Sequence, residues 1–147
     1  MSALALAPVL GLATPAAANS SCSAWQHHEF DTNWYNTDMS IEVCVERDVT
    51  GVYRAWAMID WQEGGSNKFN NLDLHLRLEK YDVVVKGAVC DFTDEVNSRE
   101  ADGGVLCQVP WTSTTPGGLT GDATVLYDIA DDGLGEKRWD LGGSPSM

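Results

Sequence analysis

A chain of 147 residues is long enough for one domain with its own hydrophobic core. Its formal net charge of −13 argues against binding to nucleic acid or to an anionic membrane by general electrostatics. It has four cysteines and no C-x-x-C pair, so we expect disulfides and no metal centre, and no motif for a bound cofactor is present.

The chain begins with an uncharged stretch, "MSALALAPVLGLATPAAA" (residues 1–18). It has an apolar core and ends in an A-x-A pattern, as a secretory signal peptide and its cleavage site do. Pro8 and Pro15 argue against a buried helix, and the stretch is too short to span a membrane. We therefore expect a secreted, extracellular protein whose mature part, residues 19–147, is a single β domain.

The cysteines all lie in this mature part, at Cys22, Cys44, Cys90 and Cys107. An even number of cysteines in an exported chain indicates disulfides, here two. Three connectivities are possible. We favour the sequential one, Cys22–Cys44 and Cys90–Cys107, because each pair brackets one plausible hairpin or turn.

Apolar and polar residues alternate along much of the chain, which predicts half-buried strands. In chain order these stretches are "SIEVCVERD" (40–48), "VYRAWAMIDW" (52–61), "NLDLHLRLEK" (71–80), "YDVVVKGAVCDF" (81–92), "GGVLCQV" (103–109) and "DATVLYDIA" (122–130). Cys44 alternates with the inward Val43 and Val45, so its disulfide to Cys22 is expected to strap a loose N-terminal segment across the outside of the sheet. One turn of helix is possible within residues 91–104.

These short strands, separated by turn residues, predict an all-β fold. We expect a small antiparallel β-sandwich or barrel of about six to eight strands with two disulfides.

The chain closes with "YDIADDGLGEKRWDLGGSPSM" (127–147). From Asp128 the spacing partly resembles a calcium-binding EF-hand loop. However, Ala130 and Trp139 stand where that loop needs oxygen ligands. The stretch therefore favours a terminal β-hairpin, followed by a short flexible tail at residues 142–147.

Aromatic and basic side chains are the candidates for partner binding. Lys137, Arg138 and Trp139 of the terminal hairpin include the residue types that anchor protein interfaces, although pairing of the hairpin could instead place Trp139 on the core. Trp111 opens the loop "WTSTTPGG" and is the best candidate for an exposed tryptophan. Trp34, in the loop "DTNWYNTD", comes next.

Histidines and carboxylates give weaker signals. His27 and His28 are neighbours on a strand and point to opposite faces, so we do not expect them to share a metal, although His75 could join one of them. The chain has no catalytic-serine, zinc-protease or nucleotide-binding motif. A carboxylate pair such as Asp60 with Glu63 leaves polysaccharide hydrolysis open. We expect a protein that is not an enzyme.

Four features together point to a known group of proteins: the A-x-A leader, the four cysteines, "CVERD" followed by a tryptophan-bearing strand, and the close "YDIADDGLGEKRW…GGSP". By these features the whole mature chain resembles small exported β-domain proteins of Streptomyces and related actinobacteria. Within that group it is most similar to the small bridging subunits of umbrella toxin particles. The resemblance implies a non-enzymatic adaptor in a secreted antibacterial toxin complex. A repeat-bearing stalk protein and a lectin of trypsin-like fold would be its partners, and no site residues are implied.

Three functions follow from the sequence, in order of preference. The first is a secreted protein-binding adaptor, in which Lys137 or Arg138 would enter an acidic pocket of a partner. The second is a secreted inhibitor of a protease or another hydrolase, presented on the same kind of disulfide-linked β domain. The third is a carbohydrate-binding or carbohydrate-active protein, which needs a cleft in which two acids converge.

Overall fold

The structure is a computed structural model that describes residues 19–98 and 101–147, and the expected leader lies outside these residues. The elements in chain order are β1 (Asn19–Cys22), β2 (Gln26–Phe30), β3 (Thr37–Arg47), β4 (Tyr53–Gln62), β5 (Phe69–Lys80), β6 (Val83–Asp91), α1 (Thr93–Asn97), β7 (Gly103–Gln108), β8 (Leu119–Ile129) and β9 (Lys137–Asp140). The all-β prediction is confirmed, with nine strands in the described residues. No helix among those residues is long and apolar enough to cross a membrane.

The strands form two antiparallel sheets. The first sheet has the order β1-β3-β4-β7, with β2 also paired to β3, and the second has the order β6-β5-β8-β9. In β4 and β5 nearly every second residue is buried, as the alternating sequence predicts. The inward side chains of both sheets form one core, so the molecule is a β-sandwich.

The core is built mainly from aliphatic side chains. Leu72, Leu74, Leu76 and Leu78 of β5 are fully buried, and they share the core with Ile41 and Val43 of β3 and with Val125 of β8. The two sheets come close together at Gly121 of β8. A Cβ atom there would lie 2.6 Å from the carbonyl oxygen of Cys44. Only glycine fits between the sheets at this position.

Both disulfides have the predicted pairing, Cys22–Cys44 and Cys90–Cys107. The expectation of a strap across the outside of the sheet is wrong. Cys22 lies directly opposite Cys44 in neighbouring strands, so β1 extends the sheet at its edge. Pairing with β3 satisfies backbone groups that a loose segment would leave to water. The second disulfide joins β6 to β7 and thereby links the two sheets.

The end of the chain, where we expected a flexible tail, makes backbone hydrogen bonds with β8. Beyond β9, Ser144 donates its amide to Gly121, and Met147 exchanges two backbone hydrogen bonds with Leu119. Gln26 of β2 also bonds the backbone of Gly142 in both directions. The tail therefore continues beside β8, because the edge of that strand offers it backbone partners.

Removing the disulfide between the sheets is expected to lower the free energy of unfolding by about 3 kcal/mol. Its two cysteines are 17 residues apart, and a loop of that length restricts the unfolded chain by roughly this amount. Urea unfolding of the Cys90→Ala, Cys107→Ala double variant, followed by tryptophan fluorescence, measures the loss. The Cys22→Ala, Cys44→Ala variant, with a separation of 22 residues, should lose a similar amount. An unchanged unfolding midpoint in the Cys90→Ala, Cys107→Ala variant would contradict this account.

Candidate functional site

The terminal hairpin is confirmed, since β9 pairs with β8. Its two basic side chains are already engaged within the chain. The Nζ atom of Lys137 lies 2.5 Å from a carboxylate oxygen of Asp132. The Nε atom of Arg138 lies 2.6 Å from a carboxylate oxygen of Asp140. A partner that binds either cation would have to compete with these acids.

Trp139 packs against the core instead of projecting from the hairpin. Its ring stacks on His28 of β2, with ring centroids 5.0 Å apart and planes inclined by 24°. Phe30 and Tyr127 complete this aromatic cluster. The cluster joins β2 of the first sheet to β9 of the second and closes one side of the sandwich. Burial in it lowers the pKa of His28.

Trp34 and Trp111 lie at opposite ends of the first sheet. Trp34 is in the loop that leads into β3. Trp111 follows β7, where Thr112 pairs with Tyr53 at the start of the antiparallel β4. Trp34 is 89% exposed and Trp111 is 42% exposed, the reverse of the expected order. The reason is that the guanidinium of Arg54 lies over the ring of Trp111, 4.3 Å from its centroid.

The backbone of the Trp34 loop is held in an unfavourable conformation. Trp34 has a φ of 76°, in the left-handed region that bulky residues rarely adopt. Such a conformation costs about 1–3 kcal/mol and persists only where the surroundings enforce it. Here the hydroxyl of Thr32 donates a hydrogen bond of 2.8 Å to the carbonyl oxygen of Tyr35. Tyr35 itself is 71% exposed, so two large aromatic rings project from a constrained loop.

Lys68 fixes this loop to its neighbour, residues 63–67. Its side chain is buried, and its Nζ atom donates to the carbonyl oxygens of Tyr35 at 2.6 Å and Glu63 at 2.5 Å. Thr37 also donates to the carbonyl of Glu63. Burial lowers the pKa of Lys68, while the nearby Glu63 carboxylate opposes that shift. A single buried cation therefore holds two loops together at this end of the sandwich.

Trp34 and Tyr35 border a recess of about 700 Å³. We call this end of the sandwich, with its recess, the aromatic end. Its other walls are the loop of residues 63–67 and the polar side chains of Asn97 and Ser98. Sequence reasoning found Trp34 but missed Lys68. The only available signal was a threonine on each side of the Trp-Tyr pair, since threonine hydroxyls often bond nearby backbone groups.

A second recess, of about 770 Å³, lies on the outward face of the first sheet at the same end. We call it the acidic cleft. Its carboxylates are Glu29, Asp38, Asp60 and Asp102, with Trp25 beside them. No lysine or arginine of the described residues lines this cleft. The four carboxylates therefore favour contact with a positively charged group.

The structure places the two members of the suggested carboxylate pair, Asp60 and Glu63, in different recesses. Asp60 lines the acidic cleft, whereas Glu63 lines the recess of the aromatic end. His75 is also separated from the other two histidines. It lies on β5 of the second sheet, while His27 and His28 lie on β2 of the first. Asp60 and Glu63 therefore do not share a recess, and His75 does not lie on the same sheet as His27 or His28.

One group of three potential metal ligands occurs among the described residues, Cys22, Glu42 and Cys44. The sulfur atoms of the two cysteines are bonded to each other in a disulfide. They are therefore not thiolates, the form in which cysteine binds a metal. The acidic turn at Asp128–Gly133 is also committed to other contacts, since Asp132 binds Lys137 and the amide of Leu134.

Comparison of the chain with protein-family models, with curated proteins and with solved structures finds no match in any of the three. What the chain does must therefore be argued from its own surfaces. Two of them stand out, the aromatic end and the acidic outward face of the first sheet.

Replacement of Lys68 by methionine is expected to lower the free energy of unfolding by about 1–3 kcal/mol, because it removes two hydrogen bonds from a charged donor and leaves each carbonyl with only its threonine hydroxyl. The amides of residues 31–36 should also exchange with solvent faster, since the loop loses its attachment. Chemical unfolding and hydrogen exchange measure the two effects. The Lys86→Met variant, at an exposed position, is the control. Equal stability and exchange in both variants would show that Lys68 does not hold the loop.

The contact between Lys137 and Asp132 predicts a shifted titration. The hydrogen bond from Lys137, and then that from the amide of Leu134, lowers the pKa of Asp132. Because the folded pKa lies below the unfolded one, the stabilisation is present above the unfolded pKa and is lost as the pH falls through the folded one. In Lys137→Ala the pKa of Asp132 should rise towards its ordinary value in a carboxyl NMR titration. The same low pKa with and without Lys137 would refute the contact.

Proposed function

We propose that this chain is a secreted, non-enzymatic protein-binding module that acts as an adaptor in an extracellular complex. The observation that carries the proposal is Trp34, an almost fully exposed tryptophan on a loop that Lys68 and Thr32 hold in a strained conformation. Strain of this kind gains nothing for the core of the sandwich. It is explained if the loop presents its rings to a partner.

Tryptophan and tyrosine are the side chains that most often anchor a protein interface. A large part of the cost of binding is the ordering of side chains and loops. At the aromatic end that ordering is already in place, because Lys68 bonds both loops before any partner arrives. Trp34 and Tyr35 can therefore supply apolar contact area with little further loss of entropy.

The presence of exposed tryptophans at both ends of the first sheet favours an adaptor over a module with one partner. Between the ends that carry Trp34 and Trp111 runs β3, a strand of 11 residues. At about 3.3 Å per residue, the two ends are about 33 Å apart. Two proteins could bind at these ends together without colliding.

The setting of the complex is proposed from the sequence. The two disulfides are compatible with an oxidising, extracellular environment, in agreement with the expected leader. The resemblance to the bridging subunits of umbrella toxin particles supports an antibacterial toxin complex. A repeat-bearing stalk protein and a lectin of trypsin-like fold would then be the partners.

The test is affinity purification of the tagged protein from the culture fluid of the producing cells, with mass spectrometry of the proteins that bind. The wild-type protein is expected to retain at least one secreted protein in stoichiometric amount. Trp34→Ala should lower the recovery of that protein at least tenfold, because truncation of an anchoring tryptophan typically weakens an interface by that factor or more. Val49→Ala, also at an exposed apolar residue but at the opposite end, should leave its recovery unchanged.

Other outcomes identify other functions. A wild-type protein that elutes alone, or a partner that Trp34→Ala retains fully, would overturn the proposal. A single hydrolase that is active alone and silent in the complex would indicate an inhibitor. The combined Lys137→Ala, Arg138→Ala variant tests the basic pair of the hairpin separately. If it keeps every partner at unchanged affinity, that pair is not part of the interface.

A further inference from the structure

The outward faces of the two sheets differ in how their charges are arranged. On the second sheet Arg77 contacts Glu79 at 3.0 Å and Asp122 at 2.9 Å, and Arg138 of β9 contacts Asp140. Positive and negative side chains thus neutralise one another across this face. Apolar side chains such as Val89 and Leu126 also lie on this face, but the charges beside them are of both signs.

The outward face of the first sheet also carries apolar side chains, and here they form a row. The pairing of the strands places Met58 of β4 next to Leu106 of β7, with Trp56 one position further along β4 on the same face. Leu106 is 50% exposed. Trp56, Met58 and Leu106 line a shallow groove of about 290 Å³, and we call these three residues the apolar row. A sheet face of this kind is usually covered by another element.

The charged residues around the apolar row are almost all negative. Glu42 lies opposite Met58 on β3, and the carboxylates of the acidic cleft lie towards the aromatic end. On the other side of the row the groove ends at Glu46 and Arg54. Arg54 is already paired with Glu46 at 2.9 Å. Neither Glu42 nor any carboxylate of the acidic cleft makes an ion pair with a described residue.

We propose that the outward face of the first sheet is the docking surface for a basic amphipathic helix of a partner protein. The apolar stripe of the helix lies on the apolar row. The lysine or arginine side chains that flank the stripe reach the acidic cleft and Glu42. A helix about 10 Å in diameter spans such a row and places its flanking cations near these carboxylates. An acidic helix or an anionic membrane would be repelled.

This inference rests on the proposed function and deepens it, since it names the chemistry of one partner and the surface that receives it. The surface is distinct from the aromatic end. Trp34 projects from the loop before β3, whereas the apolar row lies in the middle of β4 and β7. The two contacts can therefore be lost separately, and variants can tell them apart.

The probe is a synthetic helical peptide of about 18 residues with leucines on one face and lysines on the other. A peptide with glutamate in place of lysine is the control. The full protein is expected to bind the lysine peptide and not the glutamate peptide in isothermal titration calorimetry. The affinity should fall about tenfold or more when the salt concentration rises from about 0.05 M to about 0.5 M, because the attraction is electrostatic and partly exposed.

Variants locate the contact. Leu106→Ser and Glu42→Gln should each weaken binding of the lysine peptide, about tenfold and about threefold respectively. Leu126→Ser, at a matched position on the outward face of the second sheet, should not. Circular dichroism checks that each variant is folded. Equal binding of the two peptides, no binding at all, or full binding by a folded Leu106→Ser variant would overturn the inference.

Trp34→Ala separates this inference from the proposed function. It should leave the binding of the lysine peptide unchanged while it reduces the recovery of the natural partner. If the lysine peptide fails to bind although Trp34 is still needed for partner recovery, only the helix-docking inference is wrong. If the peptide binds as described but Trp34→Ala loses no partner, the inference stands and the role of the aromatic end is wrong.

Discussion

The alternation of side chains along each strand is the constraint on which the rest of the molecule depends. Every strand has two faces, and the core between the sheets takes one of them. The leucines of β5 are fully buried in that core, so the polar residues between them must point outward. On the second sheet the outward charges are of both signs and pair with one another. On the first sheet Met58 and Leu106 depart from the alternation and lie outward beside Glu42, which makes no ion pair with a described residue. Such a departure from the pattern is expected where a protein binds something.

The ends of the sandwich obey a different constraint, the need of buried backbone groups for hydrogen-bond partners. Where β2 turns into β3 and β4 turns into β5, the chain leaves the sheet and its carbonyl groups lose their ladder partners. Lys68 supplies donors to both loops at once. A lysine is costly to bury, and several hydrogen bonds are needed to offset that cost. The result is a surface of fixed shape. Trp34 is exposed because the hydrogen bonds of its loop hold it in that position.

The sequence predicted the features that depend on local pattern. It predicted the strands from 40–48 onward, the turn of helix near residue 93, the terminal hairpin and both disulfides. These features follow from alternation and cysteine spacing, which can be read directly along the chain.

The sequence did not predict the N-terminal strand or the backbone pairing of the tail. "NSSC" and "GGSPSM" have no alternation, and they become ordered only because the edges of β3 and β8 offer them unpaired backbone groups. The role of Lys68 was equally hidden, since the two carbonyl groups that it joins are 28 residues apart in the chain (Tyr35 and Glu63).

The number of tryptophans in the sequence does not predict the role of each one. Six in one chain suggested core packing and partner contacts together, without saying which residue serves which purpose. Trp61 is buried, and Trp139 closes the side of the sandwich by stacking on His28. Trp34 and Trp111 are exposed at opposite ends of the first sheet, and Trp25 is exposed to about the same degree as Trp111. Aromatic surface exposed to water lowers the solubility of the isolated domain, and the proposed adaptor role assigns a separate contact to each of the two ends.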